Sequence, residues 1–149
     1  MSSIAAHQIS QLTAVLQPIV SVQRGRILGV EALCRHRGSL PGPTPRFIFE
    51  QSLTEGWRSQ LEYACLQNAC TAFRNSQEHY GSSLLFINVD AQVVSQEPSY
   101  FDELYTVVQA HDIDPKNVVI ELSEEAVEDV ESLTDFCNRA RAHNFLIAL

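Results

Sequence analysis

The chain has 149 residues, one domain at most, and its 10 Lys plus Arg against 18 Asp plus Glu give a net charge of -8. That balance argues against a basic surface for nucleic-acid polymers, and a 45% hydrophobic content argues against disorder. Apolar runs such as 84–87 and 145–149 fall far short of the ~20 residues that span a bilayer, and the N-terminus MSSIAAHQISQLTAV lacks a basic and then apolar leader, so we expect a cytoplasmic chain without membrane insertion.

Residues 1–14 read as an extension or short helix, centred on 4–14. Two β-branched apolar runs follow, at 16–22 and 27–36, separated by Gln23-Arg24-Gly25-Arg26. This predicts a β-hairpin in which Gly25 supplies a positive φ. Residues 37–46 hold Gly38, Pro41, Gly42, Pro43 and Pro45, and read as a loop. A short helix at 47–55 stops at Gly56. A long helix is expected at 59–80, with Leu61, Ala64, Cys65, Ala69, Ala72 and Phe73 on one face and Gly81 as its stop. Strand 84–89, helix 100–112, strand 118–122, helix 126–143 and strand 145–149 complete the chain. Apolar faces are expected for the last two helices at Phe101, Leu104, Tyr105 and Val108, and at Val130, Leu133, Cys137 and Ala140.

Strands that alternate with helices, and are apolar without alternation, imply an α/β fold with a covered parallel sheet. The final strand has no helix after it to cover it. A (β/α)8 barrel needs roughly 250 residues, so the pattern reads as the first half of one.

Ligands of α/β proteins gather at the carboxyl ends of strands. Glu31, Asn88 and Glu121 lie in or at the ends of consecutive predicted strands. A carboxylate inside a buried strand needs a partner or a metal, and oxygen donors suit hard cations such as Mg²⁺ or Mn²⁺. Bland alternatives exist for each. Asn88 caps the following turn, Glu121 and Glu124 cap a helix starting near Glu125, or Arg35 pairs with Glu31 at i, i+4 on the same strand face. Among the four cysteines there is no CxxC pair and no zinc-finger spacing. Cys65 and Cys137 fall on apolar stripes and read as small buried hydrophobes in a reducing compartment.

Gln17-Pro18-Ile19-Val20 and Gly29-Val30-Glu31-Ala32-Leu33-Cys34-Arg35 resemble the opening of the EAL domain family of cyclic di-GMP phosphodiesterases. The resemblance continues through Pro45-Arg46-Phe47-Ile48, Glu55-Gly56, Phe86-Ile87-Asn88-Val89 and Val119-Ile120-Glu121-Leu122-Ser123-Glu124, in the family's order. It implies that residues 15–149 are the N-terminal part of a modified (β/α)8 TIM barrel with an antiparallel first strand. It also implies hydrolysis of cyclic di-GMP to the linear dinucleotide with two Mg²⁺ or Mn²⁺ ions. By the same resemblance Glu31, Asn88 and Glu121 are metal ligands, Arg35 holds a substrate phosphate, Gln17 contacts the ligand, and Glu124 steadies a loop. Leu16, His36 and Asp90 stand where the family more often carries an aromatic, Trp and Ser.

In the family a metal-bridging double aspartate follows the strand matching 145–149, with a catalytic Lys later. Neither is among these residues, and Lys116, which precedes the Glu121 strand, reads as a solvated loop residue. Two functions follow as expectations: part of a phosphodiesterase, inactive by itself, or a regulatory module that binds cyclic di-GMP or a protein without cleavage. The exposed edges of a half-barrel also suggest a homo-oligomer.

Overall fold

A computed structural model describes residues 3–37, 43–80, 83–123 and 129–148. Five strands form one sheet in chain order, β1 (Leu12–Ser21), β2 (Arg26–His36), β3 (Leu84–Val89), β4 (Val118–Leu122) and β5 (Leu146–Ala148). β1 pairs with β2 antiparallel, and the remaining neighbours are parallel. The β1–β2 turn occupies 22–25, with Gly25 at φ 58°, as the hairpin signal requires.

The helices are α1 (Ser3–Ser10), α2 (Pro45–Thr54), α3 (Arg58–Asn75), α4 (Gln77–Tyr80), α5 (Ala91–Gln96), α6 (Tyr100–Ala110) and α7 (Val130–Ala142). Thr44 caps α2 through its hydroxyl, which accepts from the Phe47 amide at 3.2 Å, and Pro45 opens the helix at the position where a missing N–H is harmless. Gly56, at φ 74°, then turns the chain into α3.

Several boundaries differ from the sequence reading. β1 begins at Leu12, inside the segment expected to be helical, because Leu12 is buried with Ala5, Ile48, Trp57 and Leu61. The long helix breaks after Asn75, and α4 is a separate turn. The six-residue α5 is too short for periodicity to reveal. On α3 the buried face comprises Leu61, Glu62, Leu66, Ala69, Cys70 and Phe73, rotated from the expected stripe. Val130 is exposed, and Phe136 and Ala140 are the buried residues of α7. Gly38, Gly81 and Leu149 lie outside the described residues.

The main core lies between the sheet and its helices. Val30, Leu85, Ile87, Val89, Val118, Ile120 and Leu122 meet side chains of α3, α5, α6 and α7. Each fully buried aliphatic contributes on the order of 1.5–3 kcal/mol relative to exposure. Phe101 packs edge-on against Phe136 and Phe145, with ring centroids 5.8 and 6.1 Å apart, and joins α6 to α7 and to the residue just before β5. The opposite sheet face is open. Val15 and Leu146, on that face, are 43% and 44% exposed.

Gly29 sits at a close approach between β2 and β3. A Cβ there would stand 2.5 Å from Phe86 Cε2 and 2.6 Å from the Leu84 carbonyl oxygen. Backbone cannot rotate away as a side chain does. Gly29→Ala is therefore expected to destabilise the fold by about 1–3 kcal/mol, read as a lower urea midpoint at unchanged slope.

Candidate functional site

Alternation along the strands brings the polar set together. Gln17 faces Glu31 across the hairpin, Glu31 faces Phe86, and Asn88 faces Glu121. Side chains two apart on a strand share a face, so Gln17, Glu31, Asn88 and Glu121 all project from the open side of the sheet. Asn88 and Glu121 are each the penultimate residue of their strands.

The Asn88 amide donates from Nδ2 to Glu31 Oε1 at 2.9 Å. Glu121 is half-buried, and its carboxyl is raised above the ordinary value, first by lost solvation and then by the negative charge of Glu31. Two acids and an amide oxygen thus converge where negative charge is already penalised. An all-oxygen donor set of this kind fits a hard divalent cation better than a soft one. It is a partial set: among the described residues no group of three or more His, Cys, Asp or Glu stands together as metal ligands.

The bland alternatives resolve differently. Asn88 is not a cap; Asp90 caps α5, its Oδ1 accepting from the Gln92 amide at 2.8 Å. Glu121 does not cap α7 either, since Asp129 accepts from the Glu131 and Ser132 amides there. The partner of Glu31 is Asn88, whereas the exposed Arg35 donates from Nη1 to its neighbour's carbonyl, Cys34 O, at 2.8 Å. Glu31 itself is half-buried, because the face it projects from is uncovered. Gln17 is exposed beside it, and Glu124 lies outside the described residues.

A second polar cluster adjoins the first and was not anticipated. A cavity of about 370 Å³ opens beside the carboxyl ends of β2 and β3, with Arg35 and Asn88 in its wall. Arg58, at the start of α3, anchors it. Its Nη2 lies 2.7 Å from Asp90 Oδ2, its Nη1 donates to the Phe49 carbonyl at 3.1 Å, and its guanidinium sits 4.4 Å from the Phe49 ring centre. Its Nε is 3.2 Å from Glu62 Oε1, an ion pair without hydrogen-bond alignment. Arg58 therefore ties α2, α3 and the segment after Asn88 to one another. Two signals in the sequence pointed to it: Arg58 and Glu62 stand at i, i+4, and Glu62 interrupts an apolar stripe.

The EAL domain family model matches residues 4–149. The chain is 27% identical over 132 residues to the probable cyclic di-GMP phosphodiesterase PdeI of Escherichia coli K12, a match covering 84% of this chain and 16% of that protein. The PaMucR phosphodiesterase, solved in complex with c-di-GMP, superposes with a TM-score of 0.81 at 22% identity, over 97% of this chain and 62% of that one. Klebsiella pneumoniae BlrP1, in its manganese and cyclic di-GMP complex at pH 9.0, gives 0.77 at 22% identity, over 93% and 34%. The chain thus spans only part of each relative's length. At these identities the solved structures establish the shared barrel-type fold. No helix among the described residues is long and apolar enough to cross a membrane.

Burial raises Glu62 to about 7, against the attraction of Arg58 and with a smaller push from Asp90. The folded chain therefore binds this proton between about pH 4.5 and 7, where the unfolded chain has released it. Stability attributable to Glu62 is greatest below about 4.5 and declines as pH rises toward 7, by up to roughly 3 kcal/mol. Glu62→Gln is expected to flatten the slope of unfolding free energy across that window, measured by urea titration at a series of pH values.

Proposed function

Because this chain belongs to the EAL domain family and is homologous to cyclic di-GMP phosphodiesterases, we propose that residues 15–149 supply the first half of a cyclic di-GMP phosphodiesterase site. The observation that carries this reading is the convergence of Glu31, Asn88 and Glu121 on one open sheet face, joined by the Glu31–Asn88 hydrogen bond. Leu12, Thr13 and Ala14 belong to β1, and the residues before them would be an extension to that unit.

On this reading Glu31, Asn88 and Glu121 hold Mg²⁺ or Mn²⁺. When bound, such ions activate water and offset phosphoryl charge. The protein's own residues do the positioning. Asn88 fixes the Glu31 carboxylate by donating to one of its oxygens, leaving the other free to face a cation. Glu121 is held short of solvent beside the charge of Glu31, so a cation between them relieves both penalties. Arg35, exposed at the strand end, presents a planar fork for a substrate phosphate, and Gln17 reaches the ligand from the antiparallel side. Glu124 would steady the loop after β4. A second copy is the partner we expect on the open apolar face at Val15 and Leu146.

A second reading, a module that binds cyclic di-GMP or a protein without cleavage, is favoured by the partial donor set. Only two carboxylates and an amide converge among the described residues.

Purified 149-residue chain with Mg²⁺ or Mn²⁺ is expected to yield no linear dinucleotide from cyclic di-GMP. Product above the metal-only background, absent in Glu31→Gln, would show that the half-site is competent. Manganese titration followed by electron paramagnetic resonance tests the ligands directly. Glu31→Gln and Glu121→Gln should each weaken Mn²⁺ binding roughly tenfold or more. Affinity unchanged in both variants would remove the metal assignment.

A further inference from the structure

Among the described residues the Asn88 side chain makes one bond, from Nδ2 to Glu31 Oε1 at 2.9 Å, so the direction of its carbonyl oxygen depends on the backbone that follows. That backbone, residues 89–91, is held from two sides. On the β4 side, the Ser123 amide donates to the Val89 carbonyl at 3.1 Å, and the Ala91 amide donates to Ser123 Oγ at 3.3 Å. On the α3 side, Arg58 Nη2 lies 2.7 Å from Asp90 Oδ2. We propose that Arg58, acting through Asp90, is a positioning residue for the open-face oxygen set: it fixes the end of β3 so that Asn88 meets Glu31 and turns its own oxygen toward Glu121.

Capping alone does not call for this pair. The α5 cap uses Asp90 Oδ1, which accepts from the Gln92 amide at 2.8 Å, and a serine or asparagine oxygen would serve there equally well. Oδ2 goes to Arg58 instead of water, and the Arg58 and Asp90 side chains are only 19% and 15% exposed. An ion pair kept that far from solvent is costly to break from one side, so it holds its geometry.

Arg58 is itself immobilised. Its Nη1 donates to the Phe49 carbonyl at 3.1 Å, and its guanidinium carbon lies 4.4 Å from the Phe49 ring centre. The contacts run from α2 through Arg58 to Asp90, and from there two residues back along the chain to Asn88. Ser123 by itself would leave residues 89–91 hinged on one side. Arg58 supplies the opposing contact, and the two together remove the rocking freedom of the strand end. An oxygen donor displaced by more than about 0.5 Å no longer serves a metal well. The use made of this placement, a cation beside Asn88, rests on the phosphodiesterase reading; the placement itself does not.

The test is solvent exchange of the Asn88 side-chain amide, read by nuclear magnetic resonance on the full chain, with Asn68 as internal reference. Asn68 Nδ2 donates to the Leu12 carbonyl at 3.4 Å, in the contact between α3 and β1. Asp90→Asn keeps the cap and removes the charge that Arg58 faces. It should speed Asn88 exchange about threefold or more and leave Asn68 unchanged. Arg58→Met combined with Asp90→Asn, in which neither position faces a lost charge at the other, should exchange as fast, whereas a pair that merely balanced charge would return to the native rate. Arg58→Lys keeps the charge but cannot hold Asp90 and the Phe49 carbonyl together, and should fall between. Mn²⁺ affinity, followed by electron paramagnetic resonance, should fall in the same order, by about tenfold in the double variant. An Asn88 amide unprotected in the native chain, a native Asn88 rate in the double variant, or acceleration of Asn68 together with Asn88 overturns the proposal. A native chain that takes up no Mn²⁺ removes the metal reading, and the Asn88 rates then decide the positioning role by themselves.

Discussion

In a parallel sheet whose strands are laid down in chain order, crossovers of one hand place the covering helices on one face. This one-sidedness governs the rest of the molecule. The covered face takes Val30, Leu85, Ile87, Val89 and Ile120, and among the described residues the other face is left free of helices. Side chains alternate, so every residue next to a core valine or isoleucine along β2, β3 and β4 is delivered to the open side. Glu31, Asn88 and Glu121 occupy those positions. A sheet covered on both faces would have to bury these groups at several kcal/mol each. Here they keep partial solvation and one another's company.

Arg58 is the second organising element. A half-buried cation costs solvation that must be recovered through several partners at once. Asp90, Glu62, the Phe49 carbonyl and the Phe49 ring surround it. These partners lie on three different segments, so the guanidinium fixes how α2 and the β3–α5 connection sit against α3. Asp90 also caps α5 two residues beyond Asn88. The aspartate that departs from the family's usual serine thus has a structural counterpart in Arg58, and the pair holds the end of β3 from which Asn88 projects.

The parallel strands were legible in the sequence because burial on one face and apolar flanks leave an uninterrupted β-branched run. The boundaries of β3 and β4 match the reading residue for residue. The hairpin was legible from Gly25, whose φ excludes most side chains. The start of β1 was not, since Leu12-Thr13-Ala14 fits either a helix or a strand and only packing against Ile48 and Trp57 decides. Of the open-face set, the grouping of Glu31, Asn88 and Glu121 could be inferred from strand ends, but the bond between Glu31 and Asn88 could not. The sequence offered Arg35 as an equally good partner at i, i+4, and tertiary register made the choice. The contact of Arg58 with Asp90 joins residues about thirty apart along the chain and carries no local signal.

The antiparallel hairpin has a consequence for how this surface tolerates change. Glu31, Asn88 and Glu121 are aligned by parallel pairing between strands whose long crossovers absorb insertions without moving the register. Gln17 is aligned by other means: a four-residue turn at 22–25 and an irregularity in pairing between Ile19 and Val20. Lengthening that turn by one residue would rotate Gln17 to the helix-covered face and bring Pro18 or Leu16 to the open one. Substitutions at 22–24 are inexpensive, whereas a side chain at Gly25 is strained and changes in the turn's length rewrite one wall of the surface. The turn is therefore a gauge, and variation among chains of this type is expected to be free in its letters before Gly25 and fixed in its count.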